Sequence, residues 1–317
     1  MGGPSSEHDI SLLSGLNVLR ALRDEYEPYP ILITKSGAWL AGEHQEWATP
    51  VEALSYVDVV FNALHGEFGE DGGVQNILRH SHVPYTGSEP IPSSLAMNKI
   101  AAQRVLEASG VKMPRSMVLG PTNIDTRTVL AFGPAPWIVK PLSRGSSLGV
   151  SKVSSQRGLI DAFQKALSVD PYCIVQEYIP GREITCGVLE GLSPNGAAMA
   201  LAPIEIVPPK GTHFFDYAVK YNGTTKEVCP ADFHDAMLKK IQGTALAAHH
   251  ALGLRHYSRT DMIIKPPERT GRAPELYVLE VNSLPGLTAE SLFPKAARHA
   301  GLEFKDLVSH LIRLAHI

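Results

Sequence analysis

Two short stretches near the carboxyl end of the chain carry side chains that suit a cation bound to phosphate. Glu280 and Asn282 lie at the end of residues 276–281, an apolar run with the length of a strand. Side chains two residues apart on a strand point to the same face. A carboxylate and an amide carbonyl would therefore lie together, as hard cations such as Mg²⁺ require. The alternative is a surface strand that ends in an Asx turn, and these two residues alone favour neither.

A second run, residues 257–264, repeats this spacing with Arg259 and Asp261. If the two strands pair, the site contains two carboxylates, an amide and a guanidinium, which is enough to hold Mg²⁺ and a polyphosphate. Residues 284–288 (LPGLT) follow the metal pair and offer backbone N–H groups, and Ser291 adds a hydroxyl. This segment is predicted to bind a substrate that carries a carboxylate.

A polar, glycine-rich loop near the amino terminus also has the composition of a binding site. Residues 65–72 (HGEFGEDG) follow residues 57–64, an apolar run of strand length. Open α/β sheets bind their ligands outside the carboxyl ends of strands, which is where this loop is predicted to lie. His65 is a candidate site residue on this basis, although a histidine that only forms the turn would fit the local sequence too.

A second glycine-rich loop is predicted to cover an anion. Residues 142–149 (LSRGSSLG) connect two predicted strands, 136–141 and 150–153, so that the segment forms a hairpin. Successive N–H groups in such a loop form an anion-binding concavity, and glycine permits the backbone angles required. Lys140 at the entry of the loop strengthens this interpretation. The sequence contains no Walker A motif, so the loop is not a P-loop.

The remaining elements must position these groups. Leu12, Leu16 and Leu19 are spaced as the inner face of a helix after the turn at residues 1–8, and Ser5 or Ser6 could cap that helix. Residues 208–226 form a long irregular segment of the kind that often serves as a lid. Helices are predicted at 74–79, 99–109, 159–167, 236–252 and 307–317, and further strands at 29–34, 172–179, 183–189 and 202–207.

Composition limits the classes of protein to consider. The chain has 317 residues, 44% of them apolar and 19% charged, as in a soluble globular protein of two or three packed units. A net charge of −3 and the lack of basic runs argue against nucleic-acid binding. No apolar window is long enough to span a bilayer. Cys173, Cys186 and Cys229 lack metal-type spacing and are predicted to be reduced, which favours the cytoplasm.

Taken together, these residues resemble the D-alanine:D-alanine ligase family of ATP-grasp enzymes. The resemblance covers nearly the whole chain and implies an α/β (α+β) fold with an N-terminal domain (1–95), a central ATP-grasp domain (96–182) and a C-terminal catalytic domain (183–317). Its motifs occur in the family's order: MGGPSSEHDIS, ALHGEFGEDG, YTGS, MNKIAAQ, VKPLSRGSSLGVS, EYIPGREIT, FFDYAVKY, SRTDMII and LEVNSLPGLTAESLFP.

The resemblance implies a role for each matching residue. The first substrate's ammonium would bind Glu7, tied to Ser146 and Tyr221, with His65 nearby. Arg259 and the Gly286 N–H would stabilise the oxyanion, and Ser291 with Leu292 would receive the second substrate. The residues implied for ATP are Lys99, Lys140, Ser147, Gln176, Glu177, Tyr178, Ile179, Glu183 and Lys220, and those implied for metal are Asp261, Glu280 and Asn282.

The resemblance also implies an activity. It is the ATP-dependent ligation of two D-alanines through an acyl phosphate, for peptidoglycan, by a homodimer that uses two Mg²⁺ (or Mn²⁺) ions. Tyr221 favours the dipeptide, because ligases that make the ester with D-lactate tend to lack that tyrosine. The alternatives are a D-alanine:D-lactate ligase, another ATP-grasp amide-forming ligase, and a nucleotide-binding protein without ligase activity.

Three departures from the family's pattern stand out. The family usually has glutamate at the position of Gln176, whose carbonyl can still accept a hydrogen bond from adenine. Arg144 stands where an acidic or apolar residue is common. The family also has a strand before residues 1–3, so we expect strands 29–34 and 57–64 to lack ladder partners and the working protein to begin upstream of Met1. The alternative is a sheet that closes up without that strand.

Overall fold

The computed structural model describes residues 1–122, 124–143, 149–193, 195–209, 225–267, 272–288 and 290–316. Within these ranges the strands form three separate sheets. The helices are His8–Leu22, Pro50–Leu54, Gly73–His80, Pro90–Met97, Lys99–Ala108, Thr126–Phe132, Arg157–Leu167, Asp235–Ala251, Leu292–His299 and Phe304–Ala315.

The amino-terminal sheet is small and antiparallel. Its strands are Ile31–Ile33, Trp39–Ala41 and Glu46–Ala48. On the other side of the first strand, Ile33 hydrogen-bonds to Met1 and Gly3, with its N–H 2.9 Å from the Met1 carbonyl oxygen. The strand predicted at 29–34 is therefore confirmed in a shorter form, and Ile33 has partners on both sides.

The strand predicted at residues 57–64 is wrong, because this run makes only one isolated bridge, between Val60 and Tyr85. The reason lies in Asn62, which apolar periodicity does not register. Its N–H donates to Thr86 Oγ1 at 3.0 Å, and its Oδ1 accepts the Leu64 N–H at 3.1 Å. Side chains occupy the backbone donors that a ladder would use, so the run is extended without being a strand.

Helix His8–Leu22 confirms the helix predicted after the opening turn. The three leucines at helical spacing, Leu12, Leu16 and Leu19, do not form its buried face, since Leu16 is 43% exposed. Ser11, Ser14 and Val18 lie inside instead. Ser11 donates to the Ala63 carbonyl at 2.8 Å, and Ser14 lies 2.8 Å from His65 Nε2. Part of the buried face is polar because Ser11 and Ser14 hydrogen-bond Ala63 and His65. The spacing of apolar residues therefore does not identify which face of this helix is buried.

The central sheet carries the predicted hairpin. Its four antiparallel strands follow the order Ser116–Leu119, Cys173–Glu177, Trp137–Pro141 and Ser151–Val153. One face packs against helix Arg157–Leu167 and includes Val139 and Val175. Since neighbouring residues on a strand alternate faces, Lys140 and Gln176 belong to the opposite face. The residues 144–148 of the loop lie outside the described part of the chain.

The large sheet forms the main frame of the molecule. The order is Lys226–Val228, Ile204–Val207, Arg182–Leu189, Tyr257–Lys265 and Glu275–Asn282, with Met199–Ala200 paired to Arg182–Leu189. Helix Asp235–Ala251 covers one face through Met237, Ile241 and Ala245, as predicted. Helix Lys99–Ala108 packs in the same core through Leu106. This sheet holds both strands of the candidate metal site.

Gly87 connects the amino-terminal part to the large sheet. Its N–H donates to His256 Nδ1 at 3.1 Å, and its carbonyl accepts from Arg255 Nε at 2.7 Å. The pKa of His256 is lowered to about 4, chiefly by burial and then by Arg255, while Glu190 opposes the shift. The ring is therefore neutral near pH 7, and Nδ1 can accept this hydrogen bond.

Phe293 fills the second core, on the other face of the large sheet. It is 1% exposed, and its ring meets Tyr257 edge to face with centroids 5.5 Å apart. A Cβ at Gly187 would come within 2.9 Å of the same ring, so the ring packs directly on the strand backbone. We expect Phe293→Ala to lower the free energy of unfolding by about 3–5 kcal/mol, because it leaves a cavity that the strand cannot close. Urea unfolding measures this, with Ile91→Ala, at a side chain that is 75% exposed, as control.

Candidate active site

The two candidate metal strands pair as the sequence predicts. In the antiparallel ladder, Asp261 lies opposite Glu280 and Arg259 lies opposite Asn282. Directly opposed residues share a face, with Cβ atoms about 4.5–5.5 Å apart. The register shifts immediately after Asp261, so these four residues belong to one continuous stretch of the ladder. The arrangement brings two carboxylates, an amide and a guanidinium onto one face.

Arg259 and Asp261 form a bidentate ion pair in this stretch. Nε and Nη2 of the arginine each lie 2.9 Å from an oxygen of the aspartate, and Thr185 Oγ1 donates to Asp261 Oδ1 at 2.6 Å. The two charged side chains are 11% and 15% exposed. Burial lowers the pKa of Arg259, but Asp261, Glu280 and Glu70 raise it by more. The site therefore contains a permanent, positioned positive charge.

Lys140 brings the central sheet to the same place. Lys140 is 8% exposed, and its pKa is lowered to about 8, chiefly by burial; Glu280 opposes this shift and Lys99 adds to it. These influences locate the ammonium near the metal strands and near the first residue of helix Lys99–Ala108. Glu280 and Lys99, which come from two other segments of the chain, therefore both act on the Lys140 ammonium, and two lysines together suit a phosphate-binding cleft.

We expect nucleotide affinity to fall as pH rises through about 8, because Lys140 loses the charge that would hold a phosphate. The contribution of Lys140 to folding stability changes with pH in the opposite direction. A lysine whose pKa is lowered in the folded state binds fewer protons there than when unfolded, so its contribution to stability increases between about pH 8 and the ordinary lysine pKa of 10.5. Calorimetric titration of ATP from pH 7 to 9.5 measures the affinity. Lys140→Met should bind weakly and lose this pH dependence, and an unchanged slope in that variant would contradict the assignment.

The donor set fits a cation shared with phosphate. Among the described residues no three of His, Cys, Asp or Glu cluster as a self-contained metal cage. Asp261, Glu280 and Asn282 instead supply two carboxylates and one amide, and Mg²⁺ commonly takes one or two carboxylates and completes its shell with substrate phosphates and water. Asn282 Oδ1 also accepts the Leu284 N–H at 2.9 Å, so the Asx turn of the alternative interpretation is present alongside the predicted pairing.

The amino-terminal loop contributes a partly buried carboxylate that sequence reasoning did not single out. Glu70 accepts the Gly66 N–H at 2.9 Å, and its Oε1 lies 3.8 Å from His65 Nδ1. It also raises the pKa of Arg259, so it lies close enough to act on the metal strands. The only sequence signal was its place in the glycine-rich loop, because its charge acts on a residue almost 190 positions away in the chain.

His65 begins that loop, and Glu7 lies next to it. His65 is 5% exposed, and its carbonyl accepts the Ser5 hydroxyl at 2.6 Å. Ser5 therefore ties the turn to the loop, and no side chain caps helix His8–Leu22. A Cβ on Gly66 would lie 3.6 Å from Glu7 Oε1. The structure thus brings Glu7 next to the loop that starts at His65.

The turn after the metal strand is partly closed on itself. The Leu284 N–H bonds to Asn282, and the Thr288 N–H donates to Ser291 Oγ at 3.0 Å. These two N–H groups are therefore occupied, which corrects the prediction that the whole segment offers donors. Gly286 lies against the Ser291 hydroxyl, since a Cβ there would come within 3.0 Å of Oγ. The next residue, Leu292, begins helix Leu292–His299.

The residues predicted for the base lie along the central sheet. Gln176 is buried and donates from Nε2 to Ser116 Oγ at 2.9 Å. The Glu177 carboxylate forms an ion pair with Arg115 at 2.9 Å, so its side chain stabilises the central sheet. The Lys152 ammonium lies 3.6 Å from the centre of the Tyr178 ring. Ile179, which is buried, follows, and Glu183 lies in strand Arg182–Leu189.

Four of the predicted site residues fall outside the described part of the chain. They are Ser146, Ser147, Lys220 and Tyr221. Arg144, one of the departures noted above, also lies outside it. Their assignments rest on the sequence resemblance alone.

Solved structures with this fold cover nearly the whole chain. The VanG D-Ala:D-Ser ligase from Enterococcus faecalis superposes with a TM-score of 0.85 at 29% identity, over 99% of this chain and 97% of that one. The D-alanine-D-alanine ligase from Coxiella burnetii gives a TM-score of 0.82 at 26% identity, over 99% and 91%. The chain therefore has the ATP-grasp fold of these ligases.

Sequence comparison narrows the class to a family. The profile of the D-ala D-ala ligase C-terminus matches residues 118–313, and that of the D-ala D-ala ligase N-terminus matches residues 1–56 and 45–88. The D-alanine–D-alanine ligases of Syntrophobacter fumaroxidans and Geobacter sulfurreducens are each 37% identical, over 99% and 100% of this chain and 95% and 93% of their own. This chain belongs to the D-alanine–D-alanine ligase family.

Proposed function

We propose that this protein uses ATP to join two molecules of D-alanine into D-alanyl-D-alanine, releasing ADP and phosphate for peptidoglycan synthesis. The observation that carries the proposal is the register of the metal strands. Arg259 and Asp261 lie opposite Asn282 and Glu280, and the charge of Glu280 reaches Lys140 on the other sheet. Phosphoryl transfer to a carboxylate needs this combination of fixed cations and hard-cation ligands.

The reaction begins at the carboxylate of the first D-alanine, which is a poor electrophile. Its oxygen attacks the γ-phosphorus of ATP, ADP leaves, and an acyl phosphate forms. The free amine of the second D-alanine attacks the acyl carbon, and phosphate leaves from the tetrahedral intermediate together with the proton that the amine loses. Arg259 remains protonated throughout and is placed to stabilise the charge on the oxyanion, together with the Gly286 N–H.

Three residues would hold the metal. Asp261, Glu280 and Asn282 supply ligands suited to Mg²⁺ or Mn²⁺, and we propose two ions. The metal, when bound, neutralises phosphate charge and aligns the transferring group. Lys140 and Lys99 add positive charge on the opposite side of the cleft, so the triphosphate is bound from both sheets.

The amino-terminal and carboxy-terminal segments would bind the two substrates. Glu7 binds the ammonium of the first D-alanine, and His65, in the neighbouring loop, lies near the same substrate. Ser291 and Leu292 receive the carboxylate of the second at the start of helix Leu292–His299. Residues 144–148 and 210–224, which contain Ser146, Ser147, Lys220 and Tyr221, complete the site in the family's manner.

The wider organisation follows the same family. We propose domains at 1–95, 96–182 and 183–317, with helix Lys99–Ala108 lying against the third. No helix in the described ranges is long and apolar enough to cross a bilayer, and we propose that the enzyme works in the cytoplasm. A homodimer is proposed too. Trp47, Val51 and Tyr56 support it, since each is more than 70% exposed on the amino-terminal part.

The experiment is a coupled assay of ADP release with D-alanine, followed by mass spectrometry of the product. We expect release that depends on D-alanine and yields the dipeptide. Parallel reactions with D-serine or D-lactate as acceptor measure specificity, because the VanG structure is described as a D-Ala:D-Ser ligase. A mixed dipeptide or ester as the main product would reassign the acceptor. No release with any D-amino acid, despite ATP binding, would overturn the ligase proposal.

A further inference from the structure

A short chain of hydrogen bonds fixes the side chain of Gln176. Its Nε2 lies 2.9 Å from Ser116 Oγ, and Ser116 Oγ donates to the Pro114 carbonyl at 3.2 Å. A serine hydroxyl has one proton, and a carbonyl can only accept. Since that proton lies on the bond to Pro114, Ser116 must accept from Gln176, and only Nε2 can donate. The amide is therefore oriented with Oε1 away from Ser116.

The Pro114 carbonyl, at the end of this chain of hydrogen bonds, accepts a second hydrogen bond. Gln103, on helix Lys99–Ala108, donates from Nε2 to the same Pro114 carbonyl at 3.2 Å. Ser116 and Gln176 are direct cross-strand partners at the edge of the central sheet. Gln176 is only 5% exposed, so water competes little for these bonds. The hydrogen bonds of the sheet therefore fix the orientation of the Gln176 amide.

Gln176 belongs to the face of the sheet that carries Lys140. Ile138 is the cross-strand partner of Gln176, and Lys140 follows two residues along the same strand as Ile138. Val139 and Val175, the residues between, are buried in the core on the other face. A nucleotide with its phosphates at Lys140 would therefore lay its base along Ile138 and Gln176.

We propose that Ser116 is a positioning residue that sets the purine specificity of this ligase. It holds Gln176 so that Oε1, an acceptor, faces the exocyclic amino group of adenine. Guanine has a carbonyl oxygen at that place, so two acceptors would meet. A carboxylate in place of the amide would need no such partner, because both of its oxygens accept. The inference rests on the proposed nucleotide site.

The test compares Ser116→Ala with wild type in the full-length enzyme, with ATP or GTP as the varied substrate and D-alanine saturating. We expect the ratio of kcat/KM for ATP over GTP to fall about tenfold, the effect of about one hydrogen bond. The loss should appear mainly as a higher KM for ATP. Ser116→Thr, which keeps the hydroxyl, should restore the ratio.

Repeating the Ser116→Ala comparison in the Gln176→Glu variant distinguishes a positioning role of Ser116 from a purely structural one. In Gln176→Glu the added Ser116→Ala change should leave the ATP-to-GTP ratio where it was, since a carboxylate accepts in either orientation. A structural role would lower the rates with both nucleotides alike, or shift the ratio equally in both backgrounds, and either result overturns the inference. If Ser116→Ala does not fold, Ser116→Val against Ser116→Thr makes the same comparison, since those two differ only in the hydroxyl.

Calorimetric binding of ATP and GTP without D-alanine keeps the two proposals distinct. Selective ATP binding that Ser116→Ala relaxes would support the inference even if no dipeptide forms. Dipeptide formation with unchanged nucleotide preference in the variant would overturn the inference and leave the ligase function intact.

Discussion

Glu280→Gln should reduce kcat by about 10³-fold or more while leaving the fold intact. The change keeps the shape of the side chain and removes one of two carboxylates from the metal strands. It also removes the negative charge that sustains the protonation of Lys140. A loss of 10³ in rate corresponds to about 4 kcal/mol of transition-state stabilisation, within the range expected when a charge at the phosphoryl group is lost. Asn282→Ala should act in the same direction.

Glu275 offers the matched control, because it lies on the same strand as Glu280. It is 46% exposed and pairs with Lys112 outside the site. Glu275→Gln should therefore keep wild-type turnover and melt close to the wild-type temperature, because water screens its ion pair. The readouts are ADP release at saturating Mg²⁺ and a thermal melt. Near-normal turnover of Glu280→Gln under these conditions would remove it from the metal site.

Arg259→Ala should abolish activity and also destabilise the protein. The guanidinium shares a bidentate, largely buried ion pair with Asp261. Removing one partner of a buried pair leaves an uncompensated charge and costs about 3–5 kcal/mol. Arg259→Lys keeps the charge but not the two-point geometry, so we expect intermediate stability and low turnover. Urea unfolding and the coupled assay measure the two effects separately.

The double variant Arg259→Ala, Asp261→Ala separates charge burial from catalysis. It should recover stability relative to Arg259→Ala alone and remain inactive. The comparison pair is Arg298 and Glu303, whose side chains are 54% and 68% exposed. Arg298→Ala should cost much less, because water screens the carboxylate that remains. Equal losses at the two arginines would show that burial does not control the energy of the Arg259 pair.

Periodicity predicted most of the large and central sheets because their cores are apolar. Residues 257–264 and 276–281 became strands Tyr257–Lys265 and Glu275–Asn282, in the pairing expected from two-residue spacing. The short strands Trp39–Ala41 and Glu46–Ala48 were missed, since three residues give no measurable alternation. Helix Thr126–Phe132 was missed because its seven residues bury little besides Val129.

The failures of prediction cluster where polar groups replace apolar contacts. The hydrogen bonds of Asn62 replace the ladder of a predicted strand. Those of Ser11 and Ser14 place polar side chains on the buried face of helix His8–Leu22. The role of Glu70 near Arg259 depends on contact between distant segments, which no local pattern encodes. The metal strands were predictable because the chemistry and the spacing lie within a few consecutive residues.

Strand Arg182–Leu189 has a consequence for how the protein is made. It lies between Ile204–Val207 and Tyr257–Lys265, so one partner follows about 15 residues later while the other is synthesised about 70 residues later. At about 5–20 residues per second, a ribosome leaves that second edge unpaired for about 4–14 s. Ile184 to Leu189 carry no charge and are buried in the finished sheet, and such an edge pairs readily with other chains. The translation rate and the supply of chaperones should therefore govern the soluble yield of this enzyme.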